Sequence, residues 1–591
     1  MPFLLGAYGT YCTSDFIKNL SYLAEKTASS NAIEKVSFKN GFIVAGTQNE
    51  YDHDRIIPLQ KEGIFVGKLF DREKYEPITF DHELATNCLA NPRYITKNLW
   101  GRYVGAFFNK QTQEFSLIRD PQGLSTIFYY QDNDGIIFST ELSLLYQALK
   151  TKPSINIDYF VDHIIHTNYA LSSTPFAHIK ELQPGMKLTL NPAGKSSQEL
   201  LWDITSFQGS FITDVQSFEE ELLTTLRQCT KAWTEDILGV GVELSGGTDS
   251  SGVMLLLRDI LPEDKKLIAV NYMDSQTQSS NEIKYAQEIA KACNSELFFI
   301  DMQTTSLIDK LPEKFLPNKP NTFLFGHTRY QQLENILIQN GCFEIMSGQG
   351  GDHIFISPEP EYALADYWLD QGLQGITKPL HQLSGVYRKP WLSIIGQNLQ
   401  ALGRYYQKKC LKEKKEVPCL SQDFLKTFKK ENFYLDKQLA QMYPAKAAHI
   451  KSLHHAVLYS ERNQIGTSLI FTYPLLSQPV IELALRIPTY QSFKDGYDRI
   501  FFRNAITRLK KTDALWRKIK GHTTGTVVKK WASQAQEIRD IILEGKLVKN
   551  GILDVAWIEK NLIKAQHGQA DNLWDLTHLL TAELWFRQWK L

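Results

Sequence analysis

The chain has 591 residues, too many for one hydrophobic core, and a prior of roughly 150 residues per domain divides it into two to four domains. Lys plus Arg equal Asp plus Glu, so the formal net charge is zero, which speaks against a broad nucleic-acid-binding face. Hydrophobic residues make up 43% and charged residues 22%, the balance of an ordinary globular protein rather than a disordered or fibrous one. The seven cysteines are scattered, odd in number and form no C-x-x-C pair, which predicts neither a zinc site nor a disulfide framework and fits a reducing compartment. Met1-Pro-Phe-Leu-Leu-Gly has no basic stretch before an apolar one, so no signal peptide is expected. No run of about 18 apolar residues occurs, so no spanning helix is expected and the predicted setting is the cytoplasm.

Residues 1 to 150 read as β-rich. Short apolar runs at 41–45, 63–66, 126–130 and 136–138 are separated by turn residues, and helical patterns at 14–28 and 140–149 interrupt them. An α+β sandwich is predicted. Pro184-Gly185 and Asn191-Pro-Ala-Gly194 mark a hairpin leading out of this domain. From 218 to 233 apolar residues recur at helical spacing. Strand patterns at 237–244, 266–272 and 296–300 then alternate with helical patterns at 251–261 and 282–293, which predicts a parallel sheet with helices on both faces. Residues 356–450 look less regular. Their mixed charges, as at Lys408-Lys409 and Lys412-Glu-Lys-Lys-Glu416, read as a solvated surface or as a contact surface for a partner or substrate. From 452 the pattern is mostly helical, and Trp574, Trp585 and Trp589 read as packing residues. The division is 1–205 and 206–591, with 356–450 as a variable region of the second domain.

The chemistry concentrates in Val242-Glu-Leu-Ser-Gly-Gly-Thr-Asp-Ser-Ser251. A buried strand ends in small residues and a helix follows, so backbone N–H groups and a helix N-terminus converge on an anion. Gly246 and Gly247 let the backbone approach a phosphate closely. Leu244 closes the strand, and Ser245, Thr248, Ser250 and Ser251 offer hydroxyls. Asp249 would repel a phosphate unless a cation lay between them, which implies Mg²⁺. A hundred residues on, Phe343-Glu-Ile-Met-Ser-Gly-Gln-Gly-Gly-Asp-His353 repeats the design. Ser347, Gly348, Gly350 and Gly351 form the second loop, and Asp352 is placed to share the metal with Asp249.

The first motif resembles the pyrophosphate loop of ATP pyrophosphatases, which split ATP between its α- and β-phosphates. It does not match G-x-x-x-x-G-K-[ST]. The pair of motifs resembles the synthetase domain of the asparagine synthetase superfamily. The resemblance implies ATP and Mg²⁺ as cofactors and Met273 at the nucleotide. Asn281-Glu-Ile-Lys-Tyr-Ala286 stands where that family usually has Asp-Glu. Gly101-Arg-Tyr-Val-Gly-Ala-Phe107, Arg119-Asp-Pro-Gln-Gly123 and Phe138-Ser-Thr-Glu-Leu142 resemble the family's class II glutamine amidotransferase domain. That domain uses an N-terminal cysteine exposed by loss of the initiator Met, and here the position holds Pro2. Cys12 cannot replace it, because the family mechanism needs a free α-amine on the nucleophile itself. The N-terminal domain is therefore expected to be degenerate.

Two branches of the superfamily close rings, β-lactam synthetases and lasso peptide cyclases. Tyr459-Ser-Glu-Arg-Asn463, Thr472-Tyr-Pro-Leu-Leu476 and Gly496-Tyr-Asp-Arg-Ile-Phe-Phe-Arg503 look most like the lasso cyclases. Ile470 stands where asparagine synthetases carry a glutamate. Arg517-Lys-Ile-Lys-Gly-His-Thr-Thr-Gly525 resembles the lysine loop, implying Lys520 or Lys518 as the lysine facing the α-phosphorus; His522 could serve as a base, but a lone histidine is more often structural or merely exposed. The branch implies a precursor peptide as substrate, with a leader peptidase and a leader-binding protein as partners. Other amide-forming ligases of the superfamily and an inactive binding scaffold are the competing readings.

Overall fold

The computed structural model describes residues 2–29, 33–48, 54–166, 171–207, 209–275, 280–355, 362–409, 417–428, 431–518, 524–569 and 571–591. The strands are β1 (Phe3–Gly9), β2 (Ile33–Phe38), β3 (Gly41–Gly46), β4 (Arg55–Leu59), β5 (Gly63–Asp71), β6 (Leu99–Asn109), β7 (Glu114–Arg119), β8 (Phe128–Asp132), β9 (Gly135–Ser139), β10 (Ile179–Glu181), β11 (Met186–Leu190), β12 (Ser196–Leu200), β13 (Gly239–Glu243), β14 (Lys266–Met273), β15 (Glu296–Asp301), β16 (Glu344–Ser347) and β17 (Ile470–Thr472). The first twelve build two antiparallel sheets, ordered β10-β8-β9-β1-β3-β2 and β12-β11-β7-β6-β5-β4. Alternate residues of the two facing sheets, such as Leu4, Ile43 and Phe138 against Ile64, Val104 and Leu117, fill one core between them. The hairpin read at 184–194 is β11–β12, which joins the second sheet rather than lying between domains.

The last five strands form a parallel sheet in the order β15-β14-β13-β16-β17. Strands buried on both faces read as continuous apolar runs, and this is how β13, β14 and β16 stand in the sequence. β13 has its successor β14 on one side and the later β16 on the other, so the strand order reverses at its carboxyl end. A ligand crevice opens at such a switch point. No described helix is long and apolar enough to cross a membrane.

Two expectations are corrected here. The stretch 356–450 contains the regular helices Ala363–Gln371, Thr377–Tyr387, Trp391–Tyr406 and Pro444–Leu453. From 452 the described part is mostly helical, as expected, and the short β17 completes the sheet beside β16. Trp585 and Trp589 are buried as packing residues, but Trp574 is exposed.

The two halves are joined by buried charge. Arg102 on β6 donates to Asp54 Oδ1 at 2.7 Å and to the Phe471 carbonyl on β17 at 2.9 Å. Burial pushes the Asp54 carboxyl up, and Arg102 and Lys68 more than reverse this, leaving it below the usual carboxylate range. Lys68 on β5 lies 3.4 Å from Glu344 Oε2 at the start of β16, and Thr472 donates to the other oxygen at 2.6 Å. The N-terminal sandwich thus holds the strands that end at the crevice. The C-terminal helix Leu573–Gln588 folds back onto the sandwich, with the Phe586 and Phe160 rings 4.3 Å apart. Lys68→Met leaves Glu344 buried with one neutral donor, so urea titration is expected to show a loss of about 3–5 kcal/mol.

Candidate active site

The loop after β13 is shaped by contacts that only small residues permit. Gly246 has φ +74°, and a Cβ there would meet the Glu282 carbonyl at 2.6 Å. Such a φ favours glycine. Gly247 precedes the helix Thr248–Ile260, whose first N–H groups open toward the loop. Ser250 Oγ lies 3.1 Å from Ser245 Oγ and donates to the Gly247 carbonyl at 3.3 Å, tying the loop to the helix.

The second loop follows β16, paired in parallel with β13. A Cβ on Gly348 would lie 2.4 Å from the Ser250 nitrogen, and one on Gly351 would lie 2.5 Å from Asp249 Cγ. Both glycines are therefore required for the two loops to touch. Their contact brings Asp249 and Asp352 together.

Between the acids stands Arg499. Its Nη1 lies 2.5 Å from Asp249 Oδ2 and 2.6 Å from Asp352 Oδ1. Two carboxylates sharing one nitrogen repel each other unless a cation lies between them. Asp498 contacts the same guanidinium at 3.2 Å and is itself held by Arg503 at 2.8 Å. Burial disfavours the charged form of Arg499, but Asp249, Asp352 and Asp498 together raise its pKa. A divalent cation fits this donor set. Two carboxylates converge just beyond neighbouring strand ends and already accept a positive group, so a cation there would join or displace the Arg499 guanidinium. Magnesium bound by one or two carboxylates plus phosphate oxygens needs no further protein cage. Among the described residues no group of three or more His, Cys, Asp and Glu side chains could hold a metal, so Asp249 and Asp352 would share it with the nucleotide.

The remaining predicted residues surround this pair. Leu244 is buried, and its N–H donates to the Val270 carbonyl at 2.9 Å. Met273 ends β14, level with Asp301 of β15. Ser347 is buried at the end of β16, and Gly350 turns the second loop at φ +94°. Thr248 is buried in the first turn of the helix. Ser251 is wholly buried in the first turn of the same helix. Lys518 Nζ donates to the Asp495 carbonyl at 3.2 Å and lies 4.7 Å from the Tyr497 ring, beside the turn that carries Arg499. Lys520 and His522 lie outside the described residues.

Sequence reasoning assigned no role to Glu243, Arg462 or Arg499. Arg462 Nη1 meets Glu243 Oε2 at 2.7 Å and Gln349 Oε1 at 3.3 Å, linking the strand before one loop to the middle of the other. Tyr272 donates to Glu243 at 2.9 Å. Burial pushes the Glu243 carboxyl up, but Arg462 brings it below the usual range. The signal was present in Tyr459-Ser-Glu-Arg-Asn463 and Gly496-Tyr-Asp-Arg499, where each arginine stands in a matched segment. Their partners Glu243 and Asp249 are more than 200 residues away.

In the N-terminal domain Pro2 precedes β1 and carries no thiol. Cys12 lies beyond the far end of that seven-residue strand, about 20 Å along it. Its Sγ donates to the Ala7 carbonyl at 3.2 Å, and burial pushes the thiol up to about 11, far from a reactive thiolate.

Three outcomes follow from this geometry. Asp249→Ala and Asp352→Ala are expected to keep the far-UV circular dichroism of the parent and lose nucleotide turnover by at least about 100-fold. Gly351→Ala is expected to do the same by displacing the Asp249 carboxylate. Arg499→Met leaves the two acids without their bridging cation, so Mg²⁺ alone should raise its melting midpoint more than it raises that of the parent. Equal midpoints with and without Mg²⁺ would contradict the metal assignment.

A model of the glutamine amidotransferase domain matches residues 87–202. Asparagine synthetase [glutamine-hydrolyzing] 1 of Bacillus subtilis (strain 168) is 25% identical over 265 residues, covering 42% of this chain and 40% of its own length. The putative asparagine synthetase [glutamine-hydrolyzing] 2 of Methanocaldococcus jannaschii is 24% identical over 266 residues, covering 44% and 50%. The matches thus take in half or less of these relatives. The solved glutamine phosphoribosylpyrophosphate amidotransferase of B. subtilis matches 51% of this chain and 91% of its own at 11% identity and a TM-score of 0.23. A model of the asparagine synthase family matches residues 221–587, more than half of the chain, and the chain belongs to that family.

Proposed function

We propose that this chain is an ATP-dependent, AMP-forming carbon–nitrogen ligase that closes a lasso peptide ring. The observation that carries the ligase reading is the meeting of two glycine-built loops at one helix N-terminus, with Asp249 and Asp352 drawn to a single cation. In this reading a side-chain carboxylate of a precursor peptide, Asp or Glu, attacks the α-phosphorus of ATP. Pyrophosphate leaves and an acyl-adenylate forms. The peptide's N-terminal amine attacks the activated carbonyl, AMP leaves, and an isopeptide macrolactam remains.

The N–H groups of Gly246 to Thr248 and of the second loop hold the leaving phosphates. Magnesium held by Asp249 and Asp352 supplies positive charge against the triphosphate. Lys518 or Lys520 neutralises charge growing at the α-phosphorus. The preceding Arg517 supports this assignment, because its Nη2 lies 3.7 Å from the Cβ position of Gly247 and so ties the segment to the loop. Apart from these groups the protein's task is orientation, bringing an amine and an activated acid of one molecule into contact.

The amine is assigned to the peptide because neither Pro2 nor Cys12 is suited to be the nucleophile that releases ammonia from glutamine. Pro2 has no thiol, and the half-buried Cys12 thiol has its pKa pushed up to about 11 by desolvation. Ile470 on β17 stands where the resemblance to asparagine synthetases implies a glutamate, which speaks against simple asparagine synthesis. A leader peptidase and a leader-binding protein complete the proposed system, and the cytoplasm is its proposed setting.

The test is release of AMP and pyrophosphate from Mg-ATP with a candidate precursor and its leader peptidase, followed by mass spectrometry of the peptide. Peptide-dependent AMP formation with loss of one water is the expected outcome. AMP formation with ammonia or a small amino acid alone would move the chain to another amide-forming branch of the family. No nucleotide turnover with any acceptor would leave a binding scaffold.

A further inference from the structure

The helices Thr377–Tyr387 and Trp391–Tyr406 form a hairpin on the outside of the second domain. Arg388, at φ +52°, and Pro390 make its turn. Its inner face is fixed. Leu380, Leu383 and Ile394 pack with Leu364, Tyr490 and Phe493. Asn398 Oδ1 accepts the Ala365 N–H at 2.8 Å, anchoring the second helix midway.

The outer face of that second helix is patterned. Leu392 is 83% exposed, Leu399 50% and Tyr406 72%. Gly396 and Gly403 fall between them, so large and small residues alternate at steps of four, three, four and three. That is the spacing of a coiled-coil seam, a row of knobs with a hole after each. The row runs for about 21 Å, roughly four helical turns. The two glycines are not explained by the protein's own packing. A Cβ at either would meet nothing within 4 Å, whereas at Gly348 or Gly351 it would collide. Glycine inside a helix weakens it relative to alanine. The two glycines thus leave open notches on this face, where a side chain from another helix could enter.

Charge identifies the kind of occupant. Between Gln371 and Lys409 there are six basic residues, Lys378, Arg388, Lys389, Arg404, Lys408 and Lys409, and no Asp or Glu. The chain as a whole has zero net charge, so this segment is strongly biased. Arg388 and Lys389 stand before the seam and Arg404, Lys408 and Lys409 close it, giving a cationic group at each end. A second copy of this chain would set like charges against like. A membrane surface favours a broad apolar face, and this one is a narrow stripe broken by glycines.

We propose that this seam is a docking site for an acidic amphipathic α-helix of another polypeptide. Its apolar residues enter the holes at Gly396 and Gly403, and carboxylates near its two ends meet the basic clusters. The inference does not rest on the reaction proposed above.

The probe is a designed, fluorescein-labelled helical peptide of about four turns, with leucines at heptad spacing and glutamates flanking them. Its controls are a scrambled sequence of the same composition and a version with lysine for every glutamate. Anisotropy with the full chain should show binding of the acidic helix at least tenfold tighter than of either control. Leu399→Glu and, separately, Gly403→Leu should each weaken that binding at least tenfold while ATP binding stays unchanged. Gly403→Leu leaves the charge intact and strengthens the helix, so its loss of binding cannot come from misfolding. Equal binding of the scrambled acidic peptide, or undiminished binding by Gly403→Leu, would overturn the proposal. So would binding to vesicles of phosphatidylserine and phosphatidylcholine without peptide binding, or parent self-association that Leu399→Glu abolishes.

Discussion

Asp249 and Asp352 stand in the first helical turns after two neighbouring parallel strands and meet at one guanidinium, which is an unfavourable arrangement of like charge. Arg499 makes it tolerable by placing one guanidinium nitrogen within hydrogen-bonding distance of both. The rest of the site follows from that constraint. Gly351 must be glycine because the Asp249 carboxyl lies where its Cβ would be, and Gly348 because the helix N-terminus does. Arg499 is in turn held by Asp498, and Asp498 by Arg503, so the cation between the acids is fixed from behind. A site that already stabilises positive charge between two carboxylates and exposes helix N–H groups beside it suits a metal-bound polyphosphate.

The N-terminal sandwich keeps a structural part in this arrangement although the chemistry of its fold is not evident in it. Arg102 reaches across to the β17 backbone, and Lys68 to Glu344 at the root of β16. Buried pairs of this kind are weak evidence for net stability, but breaking one is costly because the other charge stays buried. This gives the sandwich a structural reason to be kept, whatever its own chemistry. Its sheets fix the strands whose far ends form the crevice.

Legibility in the sequence followed the range of the interactions. Both glycine loops were readable because each is a local strand–turn–helix event within about ten residues. The parallel sheet was readable from continuous apolar runs. The three-residue strand β17 was not, since its pairing with β16 spans more than a hundred residues of chain. The hairpin at 377–406 was hidden by Gly385, Pro390, Gly396 and Gly403, which interrupt any helical pattern read locally. Arg462 and Arg499 stood in recognised segments, but their roles exist only once distant acids fold against them.

The central claim is that this site activates a carboxylate of a peptide as an adenylate before any amine attacks. The most direct measurement is exchange of labelled pyrophosphate into ATP, using a mature core peptide whose N-terminal amine is acetylated so that ring closure is blocked. The account predicts exchange that requires both the peptide's side-chain carboxylate and Mg²⁺ and that disappears in Asp352→Ala. Absence of peptide-dependent exchange, with exchange instead supported by free aspartate, would contradict it.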